Sequence, residues 1–403
     1  MSFPVRTFVV ALIATVLPIT LAVLIDDANA APRQPEARRA AVAIPAQPVP
    51  SYPKPFRPIW GPVFNNPMGD LGAQRRILEY IIKVVDGAPP GGTIRISMYV
   101  FNDRSVWHAL NRALDRGVRL RIVLDGGHDI PAPAERLRAQ VGDDPRAVSY
   151  LVECEKSCRG ELGVNHQKFF MLTSSAGVRH VVLVSSGNMT GGNVDQEWND
   201  LFSIAGSKPV YDAFAGVFEQ LKLDQPVARP YVEAEQRTFL QGFYPARGIA
   251  DGGRDPWLDY LDNVSCTGAA RPGLKGRTKI RVTMSAMHGD RGRIGARRLV
   301  ELQKAGCDVK VIFGASSGKG VRSILTGGGV IWRLSSEKGL RAHQKLLLIS
   351  GKIGDDPLAT RVYTGSLNWT DSAVNRDEVV LGVKGERTMK LYAQNWYYMW
   401  RFG

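Results

Sequence analysis

His166-Gln167-Lys168-Phe169-Phe170-Met171-Leu172 and His343-Gln344-Lys345-Leu346-Leu347-Leu348-Ile349 repeat one pattern, once in each half of the 403-residue chain. A His-x-Lys opens an apolar run. Each run is followed by a turn of small residues that carries an Asn and a Thr. These turns are Ser185-Ser186-Gly187-Asn188-Met189-Thr190 and Gly365-Ser366-Leu367-Asn368-Trp369-Thr370, with the Asn 22 residues after His166 and 25 after His343. On a strand, residues two apart point to the same face, so each His and its Lys present together.

Working outward, the same frame surrounds both copies. Residues 93–100 alternate as a strand, 106–116 have helical spacing, Gly117 breaks the helix, and 118–124 form the next strand. In the second half 279–284, 296–305, Gly306 and 309–313 repeat that order. Strand, helix, Gly, strand is a βαβ unit with a parallel pair. A period of about 180 residues is far too long for a solenoid and points to duplicated domains. The expected division is 1–30, a signal peptide; 31–68, a Pro-rich tether; 69–232 and 233–403, two α/β domains. The domain boundary is placed between Lys222 and Asp255, where Pro226, Pro230, Pro245 and Gly252-Gly253 cluster.

The leader reading rests on the uncharged apolar run 7–25 behind Arg6, followed by Ala28-Asn29-Ala30, which suits cleavage before Ala31. An uncleaved anchor is the alternative, because the run is long for a signal segment. Residues 32–67 contain ten prolines and little periodic hydrophobicity, which reads as an extended tether. Order is expected to begin near Phe64. Apolar residues make up 44% of the chain, ample for packed cores. Net charge is +14 for the whole chain, and losing Arg6, Asp26 and Asp27 with the leader raises it by one. Such a balance favours anionic partners: phosphates, nucleic acid or acidic lipid surfaces. Four cysteines in an exported chain permit two disulfides, in any of three pairings. Cys154 with Cys158 closes a small loop, leaving Cys266 with Cys307; Cys-x3-Cys alone is a poor zinc site.

Two imidazoles, two ammonium groups and two amides are a suitable set for one phosphodiester. Imidazole is a nucleophile that is neutral near pH 7. One His would form a phosphohistidine; the other would protonate the leaving alcohol and later deprotonate water. Lys168, Lys345, Asn188 and Asn368 would hold the phosphoryl oxygens as charge builds there. With two lysines present, metal and cofactor are dispensable. Each His also needs an acceptor on its other ring nitrogen. By motif position Asp200 is expected to orient His166 and Glu378 to orient His343, with Glu197 and Asp377 as neighbours able to serve.

This arrangement resembles the phospholipase D superfamily, whose signature is His-x-Lys-x4-Asp followed by Gly/Ser-x-Asn. It looks most similar to secreted actinobacterial members, through Cys154-Glu155-Lys156-Ser157-Cys158-Arg159-Gly160, Trp198-Asn199-Asp200 and His288-Gly289-Asp290-Arg291-Gly292. The resemblance implies an α/β sandwich in two pseudo-symmetric halves, with one metal-free active site between them. It also implies His166 as nucleophile and His343 as acid. The signature Asp falls at Thr173 and Ser350, where a hydroxyl can supply part of its hydrogen bonding. The implied activity is a secreted phospholipase D releasing the head group of phosphatidylcholine-type lipids, with transphosphatidylation as a side reaction. The chain is expected to act as a monomer on a phospholipid membrane or micelle, with no protein partner.

A fold hosts many functions, so two rivals stand beside this reading. One is a nuclease of the same superfamily, compatible with the positive charge; the other is a catalytically degenerate lipid-binding protein. His108 and His180 read as surface or packing residues. His128, after a strand end in Asp125-Gly126-Gly127-His128, and His288, in the matching loop of the second half, are candidate pocket residues. The terminal Asn395-Trp396-Tyr397-Tyr398-Met399-Trp400 cluster reads as a helix docking into the core, with lipid contact as the alternative.

Overall fold

The computed structural model describes residues 55–191, 194–246, 255–335 and 339–403. The apolar leader, most of the Pro-rich stretch and Gly252-Gly253 lie outside the described residues. Two sheets carry the molecule. The first runs in the order Gly61–Phe64, Asp200–Ala205, Val178–Ser185, Lys168–Ser175, Thr93–Met98, Arg119–Asp125, Tyr150–Cys154. The second runs Ile331–Leu334, Asp308–Ser317, Lys279–Met287, Lys345–Ile353, Asp356–Gly365, Val379–Lys384, Phe239–Phe243, Val232–Glu235, with Val264–Ser265 added on Lys345–Ile353.

The duplicated frame is real. Thr93–Met98 and Arg119–Asp125 are parallel, joined by the helix Arg104–Asp115. Lys279–Met287 and Asp308–Ser317 are parallel, joined by the helix Gly289–Lys304. The His-x-Lys strands pair antiparallel to the first strand of each unit, in the same register: Lys168 sits opposite Met98 and Lys345 opposite Met284. That equivalence places both lysines at the C-terminal ends of parallel strands, where loops converge. Part of the stretch read as a tether is a strand. Gly61–Phe64 is an edge strand on Asp200–Ala205, a position proline tolerates because an edge strand need not donate every N–H.

Three apolar clusters define the layers. The outer face of the first sheet packs on Arg76–Asp86 and Arg104–Asp115 around Ile81, Trp107 and Phe170. The outer face of the second packs on Pro256–Asp262, Gly289–Lys304 and Lys319–Gly327 around Trp257, Leu299 and Phe313. Between the sheets lie Lys208–Leu221 and Glu386–Phe402, whose Phe214, Phe218, Tyr392 and Trp396 meet Phe169, Phe202, Leu346 and Leu348. The C-terminal aromatics thus dock into the core, with Trp396 fully buried. No helix among the described residues is long and apolar enough to cross a membrane. Cys154–Cys158 and Cys266–Cys307 are disulfide-bonded.

Candidate active site

The two halves are stitched together at the His-x-Lys motifs by short pieces of backbone. Glu197–Trp198 pairs in parallel with Arg341–Ala342, and His343 N–H donates to the Trp198 carbonyl at 2.9 Å. On the other side Asn165 and Asp377 form an isolated parallel bridge, with His166 N–H donating to Asp377 O and Asp377 N–H to Val164 O. The backbones come very close there. Gly163 has φ +92°, and a side chain at that position would run into the Asn375 carbonyl, so the approach needs glycine.

These crossings decide which acceptor reaches which imidazole. His166 Nδ1 lies 2.9 Å from both Glu378 carboxylate oxygens. His343 Nδ1 lies 3.0 Å from Asn199 Oδ1 and 3.7 Å from Glu197 Oε2. The expected pairing of Asp200 with His166 and Glu378 with His343 is therefore wrong: each His is oriented from the opposite half. Counting along the motif assumes that each half completes its own site, whereas the two faces exchange strand ends. Asp200 is buried and instead takes hydrogen bonds from Thr364 and Tyr392 hydroxyls. Asp377 takes them from Ser157 Oγ and the Cys158 N–H.

A carboxylate can only accept, so Glu378 fixes the proton of His166 on Nδ1 and leaves Nε2 with its lone pair. Burial, then Lys168 and Lys345, hold His166 well below the usual imidazole range. Burial lifts Glu378 to about 7, against the pull of Lys168, a Ser366 hydrogen bond and Arg376. His343 is likewise kept low by burial, then by Lys345 and Lys168. Lys168 donates to its own His166 carbonyl at 2.6 Å, and Lys345 to that of His343 at 2.7 Å. Lys345 also reaches Ser186 O at 3.1 Å. Burial pushes the Lys168 ammonium well down and Lys345 to about 8. Two desolvated cations facing two imidazoles form a strong anion site.

Of the remaining expected residues, Asn368 is buried, its Oδ1 accepting from the Ala286 N–H at 3.0 Å, which leaves its amide N–H groups as donors. Asn188 lines a cleft with Asn199, Ser185 and Gly187. His128 packs edge-on against Tyr99 at 4.5 Å, and Tyr99 against His166 at 4.8 Å, so His128 belongs to the wall of the site. His288 is exposed at the head of the helix Gly289–Lys304, its N–H on Trp369 O. At the first motif Asp position, Thr173 Oγ1 accepts the Thr93 N–H at 2.9 Å. Ser350 takes its place in the ladder opposite Lys279 and Thr360.

Four contributors escaped the sequence reading: Asn199, Tyr99, Arg376 and Asn65. Asn65 is buried and holds the Glu197–Asn199 segment, donating to Glu197 O at 2.7 Å and accepting the Asn199 N–H at 2.7 Å. It precedes the repeat, so no internal comparison could mark it. Asn199 was visible as the neighbour of Asp200.

The sequence matches the family profile described as "Cardiolipin synthase, PLD-like domain" over residues 84–222 and 274–400. No curated protein sequence matches. Among solved structures, the phosphatidylserine synthase of Haemophilus influenzae Rd KW20 superposes with TM-score 0.54 at 12% identity, over 85% of this chain and 86% of that one. The polyphosphate kinase of Porphyromonas gingivalis gives TM-score 0.50 at 13% identity, over 83% of this chain and 50% of that one, so this chain spans half the kinase. At such identities the likeness is one of fold.

Proposed function

Because this chain belongs to the family of phospholipase D-like domains, whose reaction class is phosphodiester cleavage and transfer, we propose that it is a phospholipase D acting on glycerophospholipids. The observation that carries the reading is the Glu378–His166 pair set opposite His343 between two buried lysines. His166 Nε2 attacks phosphorus and a P–N bond forms. The P–O bond to the head-group alcohol breaks, and that oxygen takes a proton from His343, which enters the step protonated because the charge of the bound phosphodiester offsets Lys168 and Lys345. The glycerol side stays on His166 as a phosphohistidine. Water then gives its proton to His343 and its oxygen to phosphorus, and His166 leaves with phosphatidic acid as product. An alcohol in place of water gives phosphatidyl transfer. Lys168 and Lys345 stabilise the equatorial oxygens throughout. A carboxylate on Nδ1 supports the positive charge His166 acquires, which favours it over His343 as nucleophile. The apolar segment 7–25 and the two disulfides support export.

The test is parallel turnover with EDTA present: phospholipid vesicles with and without ethanol, and single-stranded DNA, using His166→Ala as the blank. Head-group release that disappears in the variant is expected, with phosphatidylethanol when ethanol is added. DNA cleavage without head-group release would assign the protein to the nuclease branch.

A further inference from the structure

Beside His166 stands a cation that the two-lysine chemistry does not use. Arg376 is half-buried and makes no ion pair among the described residues. It directly precedes Asp377 and Glu378, at the crossing where the backbone of the second half runs along Asn165 and His166. Next to this crossing lies the wall formed by Tyr99 and His128, with Lys168 Nζ 5.1 Å from the centre of the Tyr99 ring. Tyr99 and His128 are both partly exposed. We propose that Arg376, with Tyr99 and His128, forms a second anion subsite beside His166, and that the substrate is a phospholipid whose head group bears a further acid next to the scissile phosphodiester.

The proposal rests on the phospholipid reading given above. The reach of Arg376 into the site is also electrostatic. After burial and the two lysines it adds to the lowering of His166, and it lowers Lys168 after burial and Lys345. A planar guanidinium matches a carboxylate or phosphate in bidentate fashion. A quaternary ammonium head group is disfavoured here: Arg376 repels it, and the ring of Tyr99 already has Lys168 near it. The subsite thus favours an acidic head group over the phosphatidylcholine-type substrate expected from the sequence.

The probes are O-phosphoserine and phosphoethanolamine, which differ only by the carboxylate. They are titrated calorimetrically against the intact wild-type chain, Arg376→Met and Arg376→Lys. In wild type, phosphoserine should bind about tenfold tighter. That ratio should fall close to one in Arg376→Met and take an intermediate value in Arg376→Lys. Equal affinities in wild type, or a ratio unchanged in Arg376→Met, overturn the proposal. So does a dependence on Arg376 seen only with a thymidine dinucleotide, which would put the second acid on a nucleic-acid backbone. Vesicles of phosphatidylserine and phosphatidylethanolamine complete the test. Discrimination in binding with no lipid turnover leaves the subsite standing and removes the phospholipase reading. Turnover of both lipids at equal kcat/KM does the reverse.

Discussion

Glu378 shows how much one residue's partner matters. Read along the chain, it sits 35 residues after His343 and is assigned to it; in space it touches His166. Replacing it with Gln removes the charge that supports the imidazolium and lets Nδ1 lose its fixed proton. Glu378→Gln is expected to lower kcat on the order of 10²-fold or more, with KM little changed. An equal loss in Asp200→Asn through kcat alone would transfer the orienting role from Glu378 to Asp200. Lys345 gives a pH signature. Its ammonium titrates near 8 rather than 10.5, so the charge that holds phosphate is present below about pH 8 and lost above it. KM should accordingly rise on the alkaline side. Lys345→Arg, which stays charged, should lack that limb; a limb of unchanged position in the variant would show that another group is responsible.

At the scale of elements, the twin βαβ units were legible because their signals are local. Alternation in 93–100 and 279–284, helical spacing between, and Gly117 and Gly306 at the helix ends all act within a few residues. The edge strand Gly61–Phe64 was not legible, since its pairing with Asp200–Ala205 spans more than 130 residues and its own composition resembles a tether. The disulfides differ in what they constrain. Cys154–Cys158 closes a separation of 4 and Cys266–Cys307 one of 41. Loop entropy alone gives about 2 kcal/mol for the first and about 4 kcal/mol for the second. Urea unfolding of the two Cys→Ser pair variants should preserve that order. The shorter loop also delivers Ser157 and the Cys158 N–H to Asp377, next to Glu378, so its removal should depress kcat beyond its small effect on stability.

For the whole molecule, the decisive feature is the middle cluster. Phe64, Phe169, Phe202 and Phe214 from the first half share it with Phe243, Leu346, Tyr392 and Trp396 from the second. Neither sheet can cover its inner face without the other, so the halves should unfold together. Fluorescence and far-ultraviolet circular dichroism should report a single urea midpoint. Two separated transitions would mean that the halves are independent domains joined only at the active site.

The sequence by itself determined the duplicated α/β plan, both His-x-Lys motifs and their Asn-bearing turns, because repetition and short-range pattern carry them. Only the tertiary structure decided that Glu378 serves His166, that Asn199 and Glu197 serve His343, and that Asn65, Tyr99 and Arg376 belong to the site. The reason is physical. Strand ends exchanged between two facing halves bring together residues more than a hundred positions apart, and periodicity along one chain holds no information about which end crosses to which.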